Sequence, residues 1–374
     1  MTKLMAKIIS VLISIALTFG TIFGFFVPSK TKKASTYHDS EIKNVILLIG
    51  DGMGFNHLMK TKVERDTEII MDTFEIKGES RTRSFDKAVT DSAAGGTALA
   101  TGIRTANGAI GVNPIDKEPK YSYPKNLSEL CKENGMMTGV ITTDETSGAT
   151  PASFSAHSSD RYNTEDITYD QLTSDIDLIW GKSNGVATKS AAEENGFEYI
   201  VSYNEMMALE EGSRSFAQFT NSLWTLEQSD KKTPNLEQMA IKAVDLLDDT
   251  EEGFFLMIEG AHIDKHSHNN ENEMVTEAAL EFDRTIEAML DYAKADGETL
   301  VIVTADHETG GITEENGAYV FTSDSHTKAN VPVFVYGTDK FIDNGEKLNN
   351  YEIPIRIAYV LGFNEKQFPV SVYQ

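Results

Sequence analysis

Four short, uncharged runs in this chain each stop on residues of a very different chemistry. Val45–Ile49 leads into Asp51, and Thr138–Thr143 leads into the loop that contains Thr150. Phe254–Ile258 runs straight into Glu259, and Leu300–Thr304 leads into Asp306 and His307. Short, β-branched, apolar runs of this kind suit strands buried on both faces. A fifth run, Val331–Tyr336, follows His326 and is expected to return the chain to the same sheet. Between them, Leu236–Leu247 and Met274–Ala293 carry apolar residues at helical spacing. Strands alternating with helices of this length predict an α/β fold, a mostly parallel central sheet with helices on both faces. Such a sheet collects its chemistry at one edge, so residues far apart in sequence can converge there. The stretch from Asp160 to Pro234 is less regular and yields no element.

The 374 residues are 40% hydrophobic and 24% charged, enough for a large core. No linker-like tract or internal repeat divides them, so residues 35–374 read as one large α/β domain with insertions. The charge is lopsided, with 33 Lys and Arg against 58 Asp and Glu, a net of −25. That argues against nucleic acid as a specific partner, which needs a basic footprint. An anionic substrate would need a local cationic centre, such as a bound metal or an arginine. The single cysteine, Cys131, falls in an amphipathic pattern over Leu127–Asn134 and reads as a small buried hydrophobe.

Residues 1–34 differ in kind. Lys3 and Lys7 precede an uncharged stretch, Ile8–Ser29, which Lys30, Lys32 and Lys33 follow. This is the pattern of an export segment. Its apolar run exceeds the ~7–15 residues of a usual signal peptide and approaches the ~20 that span a bilayer. The segment is therefore read as a signal peptide or an N-terminal membrane anchor, and the protein as exported to the cell envelope or the medium. No cysteine lies near its end to carry a lipid.

Ser92 follows Asp91, a good N-cap, and precedes small residues up to Gly102, a plausible helix stop. At a helix N-terminus, free N–H groups and the macrodipole favour an anion and help a serine lose its proton. The same segment also reads as an ordinary capping turn. Asp264 and His268, four apart, share a helical face and can bind one ion. Asp306 and His307 are adjacent at a strand end, and Asp51 sits in a Gly-rich turn. Glu259 and Thr150 offer oxygen only, which suits magnesium better than zinc. Each signal alone is weak; their conjunction on strand ends is not.

In this order, Asp51-Gly-Met-Gly, Asp91-Ser-Ala-Ala-Gly-Gly-Thr-Ala, Ala149-Thr-Pro-Ala-Ser-Phe-Ser-Ala-His, Glu259-Gly-Ala-His-Ile-Asp-Lys-His-Ser-His, Thr304-Ala-Asp-His-Glu-Thr-Gly-Gly and Ser325-His-Thr resemble the alkaline phosphatase family. The resemblance runs from about Asn44 to Gly337. It implies hydrolysis of small phosphate monoesters through a phosphoserine, with two zinc ions and one magnesium. Ser92 would be the nucleophile, Arg161 the phosphate clamp, and Asp91 the group that orients the arginine. Asp264, His268 and His326 would hold one zinc, and Asp51, Asp306 and His307 the other. Asp51 would also bridge to magnesium, whose further protein ligands would be Thr150 and Glu259, while Lys265 would contact phosphate through water.

The chain departs from the family pattern twice. Family members carry Asp or His two residues before that threonine, where this chain has Gly148. A weak magnesium site and a Lys265 without an acidic neighbour are the expectations, with Asp144 or Glu145 as the first substitutes to consider. Only eighteen residues separate His307 from His326, where larger members carry a subdomain near the dimer contact, so a homodimer by that route is in question. The competing readings are a phosphodiesterase or phosphonate hydrolase on the same metal scaffold, and a non-catalytic envelope protein that binds phosphate or metal.

Overall fold

The structure, a computed structural model, describes residues 42–113, 123–220, 233–248, 250–363 and 368. All of these fall in the unit Ala34–Gln374, and the expected export segment lies outside the described residues.

Ten strands form one sheet: β1 (Asn44–Gly50), β2 (Ile76–Arg81), β3 (Met137–Glu145), β4 (Leu178–Lys182), β5 (Glu198–Ile200), β6 (Ser215–Phe219), β7 (Phe254–Gly260), β8 (Thr299–Thr304), β9 (Val331–Tyr336) and β10 (Lys347–Asn349). Their spatial order is β10-β2-β9-β8-β1-β7-β3-β4-β6-β5. From β8 through β1, β7, β3, β4 and β6 to β5 every pairing is parallel. β9 runs antiparallel to both β8 and β2. The five runs expected as strands are all present. The irregular stretch supplies three more, β4, β5 and β6, which extend the sheet beyond β3.

The period of two along β1 assigns its side chains to two cores. Ile46 and Leu48 pack on one face with the helices α5 (Leu236–Leu247) and α7 (Asn272–Asp296). Val45, Leu47 and Ile49 pack on the other, with Leu99 of α2 (Ser92–Thr101) and Leu127, Leu130 and Cys131 of α3 (Leu127–Glu133). Every residue of β1, β7 and β8 is buried, which is why these runs do not alternate with polar residues. Full burial of one Leu, Ile or Phe side chain contributes about 1.5–3 kcal/mol, so this centre is a rigid floor for whatever stands on its edge.

The parallel register aligns the strand ends. Gly50 pairs with Gly260 and Ile49 with both Glu259 and Thr304. Asp51, Glu259 and Asp306 thus emerge within a residue or two of one another along a single edge. The edge is the site.

Candidate active site

The sequence builds the site by letting backbones approach closely. Gly52 has φ +73°, a left-handed conformation that glycine takes without cost. A Cβ there would also lie 2.8 Å from both Asp264 Cβ and Thr309 Oγ1. Behind Ser92, a Cβ on Gly95 would meet the Asp306 carbonyl at 2.9 Å, and one on Gly96 would meet Ser153 Oγ at 2.9 Å. The small residues of α2 therefore seat the helix against the Asp306 turn and against α4 (Ala149–Ser153), which carries Thr150.

Ser92 is the first residue of α2 and is buried. Asp91 caps the helix with Oδ1, which accepts from Ala94 N at 3.0 Å. Its other oxygen, Oδ2, accepts from Gly108 N at 2.9 Å and from Arg161 Nη1 at 3.1 Å. One aspartate thus fixes both the helix start and the guanidinium. Arg161 also donates its backbone N–H to the Gly108 carbonyl at 2.8 Å.

Three histidines aim Nε2 into the site. His268 Nδ1 faces the Asp324 carbonyl at 2.6 Å and His326 Nδ1 faces the Thr90 carbonyl at 3.0 Å. A carbonyl can only accept, so each Nδ1 carries a proton, and a ring that gives up its second proton presents an Nε2 lone pair to the site. Beside Asp264 the His268 ring holds that second proton up to about 9. The two Nε2 atoms stand 3.1 Å apart. Asp264 adds its oxygens at 3.4 Å from His268 Nε2 and 3.5 Å from His326 Nε2. Four-coordinate zinc with bonds of ~2.0–2.1 Å spaces its ligands at about this distance. Neutral lone pairs and a carboxylate at such range repel unless a cation or a proton lies among them.

The third ring is set by a residue that sequence reasoning missed. Thr309 donates its hydroxyl hydrogen to Asp264 Oδ1 and stands 3.2 Å from His307 Nδ1, so its oxygen is left to accept from that ring. His307 Nε2 then faces Ser92 Oγ at 3.1 Å, Asp306 Oδ2 at 3.3 Å and Asp51 Oδ1 at 3.4 Å. Asp306 gives Oδ1 to the backbone N–H groups of Gly52 and His307. The donor atoms of Asp51, Asp264 and His307 lie within 4.8 Å of one another, as do those of Asp264, His268 and His326. Asp264 therefore belongs to both gatherings, which the division of ligands in the sequence did not express.

The charges confirm how unfinished the cluster is as bare protein. Burial, and then the neighbouring Asp264, pushes Asp306 up to about 7. Burial and Asp306 hold Asp51 well above the ordinary carboxylate range, and burial and Asp144 raise Glu259 to about 8. His307 is held well below the usual imidazole range by burial and then by His326. Asp264 lies low although burial opposes it, because the protonated His268 ring, itself raised to about 9 by this carboxylate, hydrogen-bonds to it and His307 is close. Asp51 Oδ1 and Asp306 Oδ2 are among the buried side-chain oxygens without a hydrogen-bond partner in the described residues. Orphaned oxygens on two expected ligands, beside histidines whose Nδ1 is held by a hydrogen bond and whose Nε2 faces the cluster, fit divalent metal ions.

Glu259 accepts from Thr142 Oγ1 and lies on the side of the site toward β3. Here the structure corrects one expectation. Lys265 does not lack an acidic neighbour, because it pairs with Asp144. Glu145, the other substitute considered, pairs instead with Lys182 at 3.2 Å. His262 and His266 stand apart from both donor groups: His262 Nδ1 faces Thr143 Oγ1 at 3.0 Å, and His266 Nδ1 faces Glu271.

A serine at a helix N-terminus, an arginine fork and a wall of metal donors on the carboxyl edge of a parallel sheet define a metal-dependent phosphoryl-transfer hydrolase. Comparison with known proteins agrees. The alkaline phosphatase family model matches residues 42–178 and 181–352. Alkaline phosphatase 4 of Bacillus subtilis is 31% identical over 331 residues, covering 82% of this chain and 70% of the relative. The alkaline phosphatase of Escherichia coli is 29% identical, covering 73% and 71%. Among solved structures, a variant of the alkaline phosphatase of the Antarctic bacterium TAB5 with magnesium bound superposes with a TM-score of 0.76 at 30% identity, covering 87% of this chain and 99% of that one. The chain belongs to the alkaline phosphatase family. It is a metal-dependent enzyme that hydrolyses phosphate monoesters.

Proposed function

We propose that hydrolysis proceeds through a phosphoserine on Ser92, with two zinc ions and one magnesium held by the residues above. The single observation that carries this reading is the convergence of Ser92 Oγ, Asp51 and Asp306 on His307 Nε2, all within 3.4 Å. Asp264, His268 and His326 would hold one zinc and Asp51, Asp306 and His307 the other. Asp51, Thr150 and Glu259 would hold magnesium, which a variant of a 30% identical relative also binds. When bound, such ions lower the pKa of an attacking hydroxyl and offset charge on the attacking and leaving oxygens.

The chain's own groups do the rest. The N-terminus of α2 and the Arg161 fork orient the phosphoryl oxygens, and Asp91 keeps the fork in place. Ser92 Oγ loses its proton and attacks phosphorus, forming an O–P bond as the ester P–O bond breaks. The serine proton passes through solvent, and the departing alkoxide takes one up as the alcohol leaves. Water then attacks phosphorus from the position the alcohol vacated, breaking the Oγ–P bond, and its released proton restores the Ser92 hydroxyl as phosphate departs. The local cationic groups draw in an anionic ester despite the net charge of −25.

The test is a rapid quench with a substrate labelled in phosphate. Label on Ser92 in the wild type and none in Ser92→Ala is the expected result; label on a histidine, or none trapped at any time, overturns the covalent route. Export belongs to the same proposal, supported by the lysine-flanked apolar segment of residues 1–34. Fractionation of the producing cells, with N-terminal sequencing of the active protein, distinguishes cleavage from anchoring. Sedimentation of the active enzyme decides between monomer and homodimer.

A further inference from the structure

Gly148 marks the place where family members carry a side chain, but its backbone does not demand glycine. It has φ −54° and ψ 153°, an extended conformation open to any L-residue. What excludes a side chain is another residue. A Cβ on Gly148 would lie 2.9 Å from Asp144 Oδ2, 3.3 Å from Asp144 Cγ and 3.0 Å from the Glu145 carbonyl. The Asp144 carboxylate already fills that space.

Asp144 reaches it from the end of β3, where its backbone N–H donates to Thr142 Oγ1 at 2.8 Å. That same Thr142 hydroxyl donates to Glu259 Oε2, so one threonine ties the backbone of Asp144 to an expected magnesium ligand. Asp144 Oδ1 takes the Lys265 ammonium, and Lys265 follows Asp264 directly on the helix His262–His268. Asp144 therefore stands between three parts of the site: the strand end bearing Glu259, the loop entering α4 with Thr150, and the helix with Asp264.

We propose that Asp144 is the positioning residue for the magnesium site and for Lys265, the carboxylate having moved from position 148 to a strand end four residues earlier. The proposal rests on the metal assignment given above. Gly148 and Asp144 form one unit: the carboxylate can sit there only because residue 148 has no side chain. Lys265, held by Asp144, is directed toward the phosphate position instead of ranging through solvent. The weak third site that Gly148 alone suggested is replaced by one with its carboxylate in place.

The test uses the full-length enzyme loaded with zinc and compares wild type, Asp144→Ala, Asp144→Asn, Gly148→Asp and the double variant Asp144→Ala/Gly148→Asp. Magnesium binding is read by calorimetry, zinc content by elemental analysis as the control for an intact site, and inorganic phosphate inhibition by its Ki. Losing such an outer carboxylate typically costs ~10–100-fold in metal affinity. Asp144→Ala should therefore weaken magnesium ~10–100-fold and raise the phosphate Ki, with kcat recovering at saturating magnesium. Asp144→Asn, nearly the same shape, should share the defect, which assigns it to the charge. Gly148→Asp alone should bind magnesium worse than wild type, because two carboxylates then compete for one space. The double variant should regain most of the affinity. Magnesium affinity and Ki unchanged in Asp144→Ala, with wild type binding magnesium normally, would reduce Asp144 to a surface ion pair and sink the proposal alone. A wild type that binds no magnesium after zinc loading overturns the third-site assignment and the proposal together.

Discussion

Two regions of this protein bury carboxylates equally well and treat them differently. On the sheet edge Asp51, Glu259 and Asp306 are 7, 1 and 0% exposed; on α7 Glu281 and Asp283 are 4 and 8% exposed. Burial raises Glu259 and Glu281 alike to about 8. The difference lies in the neighbours. After burial, the strongest influence on Glu259 is another carboxylate, Asp144, and on Asp306 it is Asp264. On α7 it is a backbone N–H: Leu236 N for Glu281 at 3.4 Å, and Ile70 N for Asp283 at 2.9 Å. The helix acids are satisfied by the fold. Asp51 and Asp306 on the edge, each with an oxygen orphaned, require something the chain does not contain. A functional site is distinguished here by the deficit, not by burial.

That contrast is open to attack, and the largest effect expected is on turnover. Ser92→Ala should lose roughly 10³-fold or more of kcat while keeping its zinc content. Lost zinc would mean that the serine is structural to the cluster. Next come the metal donors. His268→Ala and His326→Ala should each lose bound zinc by elemental analysis after gel filtration, partly regained in excess zinc, whereas His262→Ala and His266→Ala should keep it. Equal losses in all four would erase the distinction between rings that present Nε2 to the cluster and rings that merely neighbour it. A smaller effect is expected at Thr309, whose hydroxyl links His307 Nδ1 to Asp264. Thr309→Val should cost about 10–100-fold in zinc affinity or kcat/KM, as loss of an orienting partner does; wild-type behaviour would show that His307 needs no such anchor.

The smallest effect belongs to the helix acids. Glu281 has its folded pKa raised to about 8 from 4.5, so between those values the folded state holds a proton that the unfolded state has released. Stability from this group is therefore greatest below pH 4.5 and declines as pH rises toward 8. Glu281→Gln should match the wild type near pH 5 and melt higher at pH 8, by about 1–2 °C for each kcal/mol recovered. A Tm difference that is the same at both pH values would contradict the sign of the shift.

Much of this was legible in the chain because the residues proposed as ligands follow directly on buried strands. The run into Asp51, the run into Glu259 and the run into Asp306 and His307 are local patterns, and parallel pairing brings their ends together whatever lies between. Strands β4, β5 and β6 were illegible for the opposite reason. They are short, and Ser215–Phe219 mixes Ser and Gln with its aromatics, so no periodicity rises above the background. Thr309 was missed because its function exists only once Asp264, 45 residues away, has been folded against it. Asp144 was separable from Glu145 only by direction. Adjacent residues on a strand point to opposite faces, and here one finds Lys265 and the other Lys182.

The most direct measurement is anomalous scattering at the zinc edge from crystals of the enzyme grown with zinc and magnesium. The account predicts two strong peaks, one among Asp264, His268 and His326 and one among Asp51, Asp306 and His307, with no peak at His262, His266 or the acids of α7. An edge that stays empty at full zinc, or ions that settle on Glu281 and Asp283 instead, would contradict the claim that the unsatisfied oxygens of the sheet edge are what make this protein an enzyme.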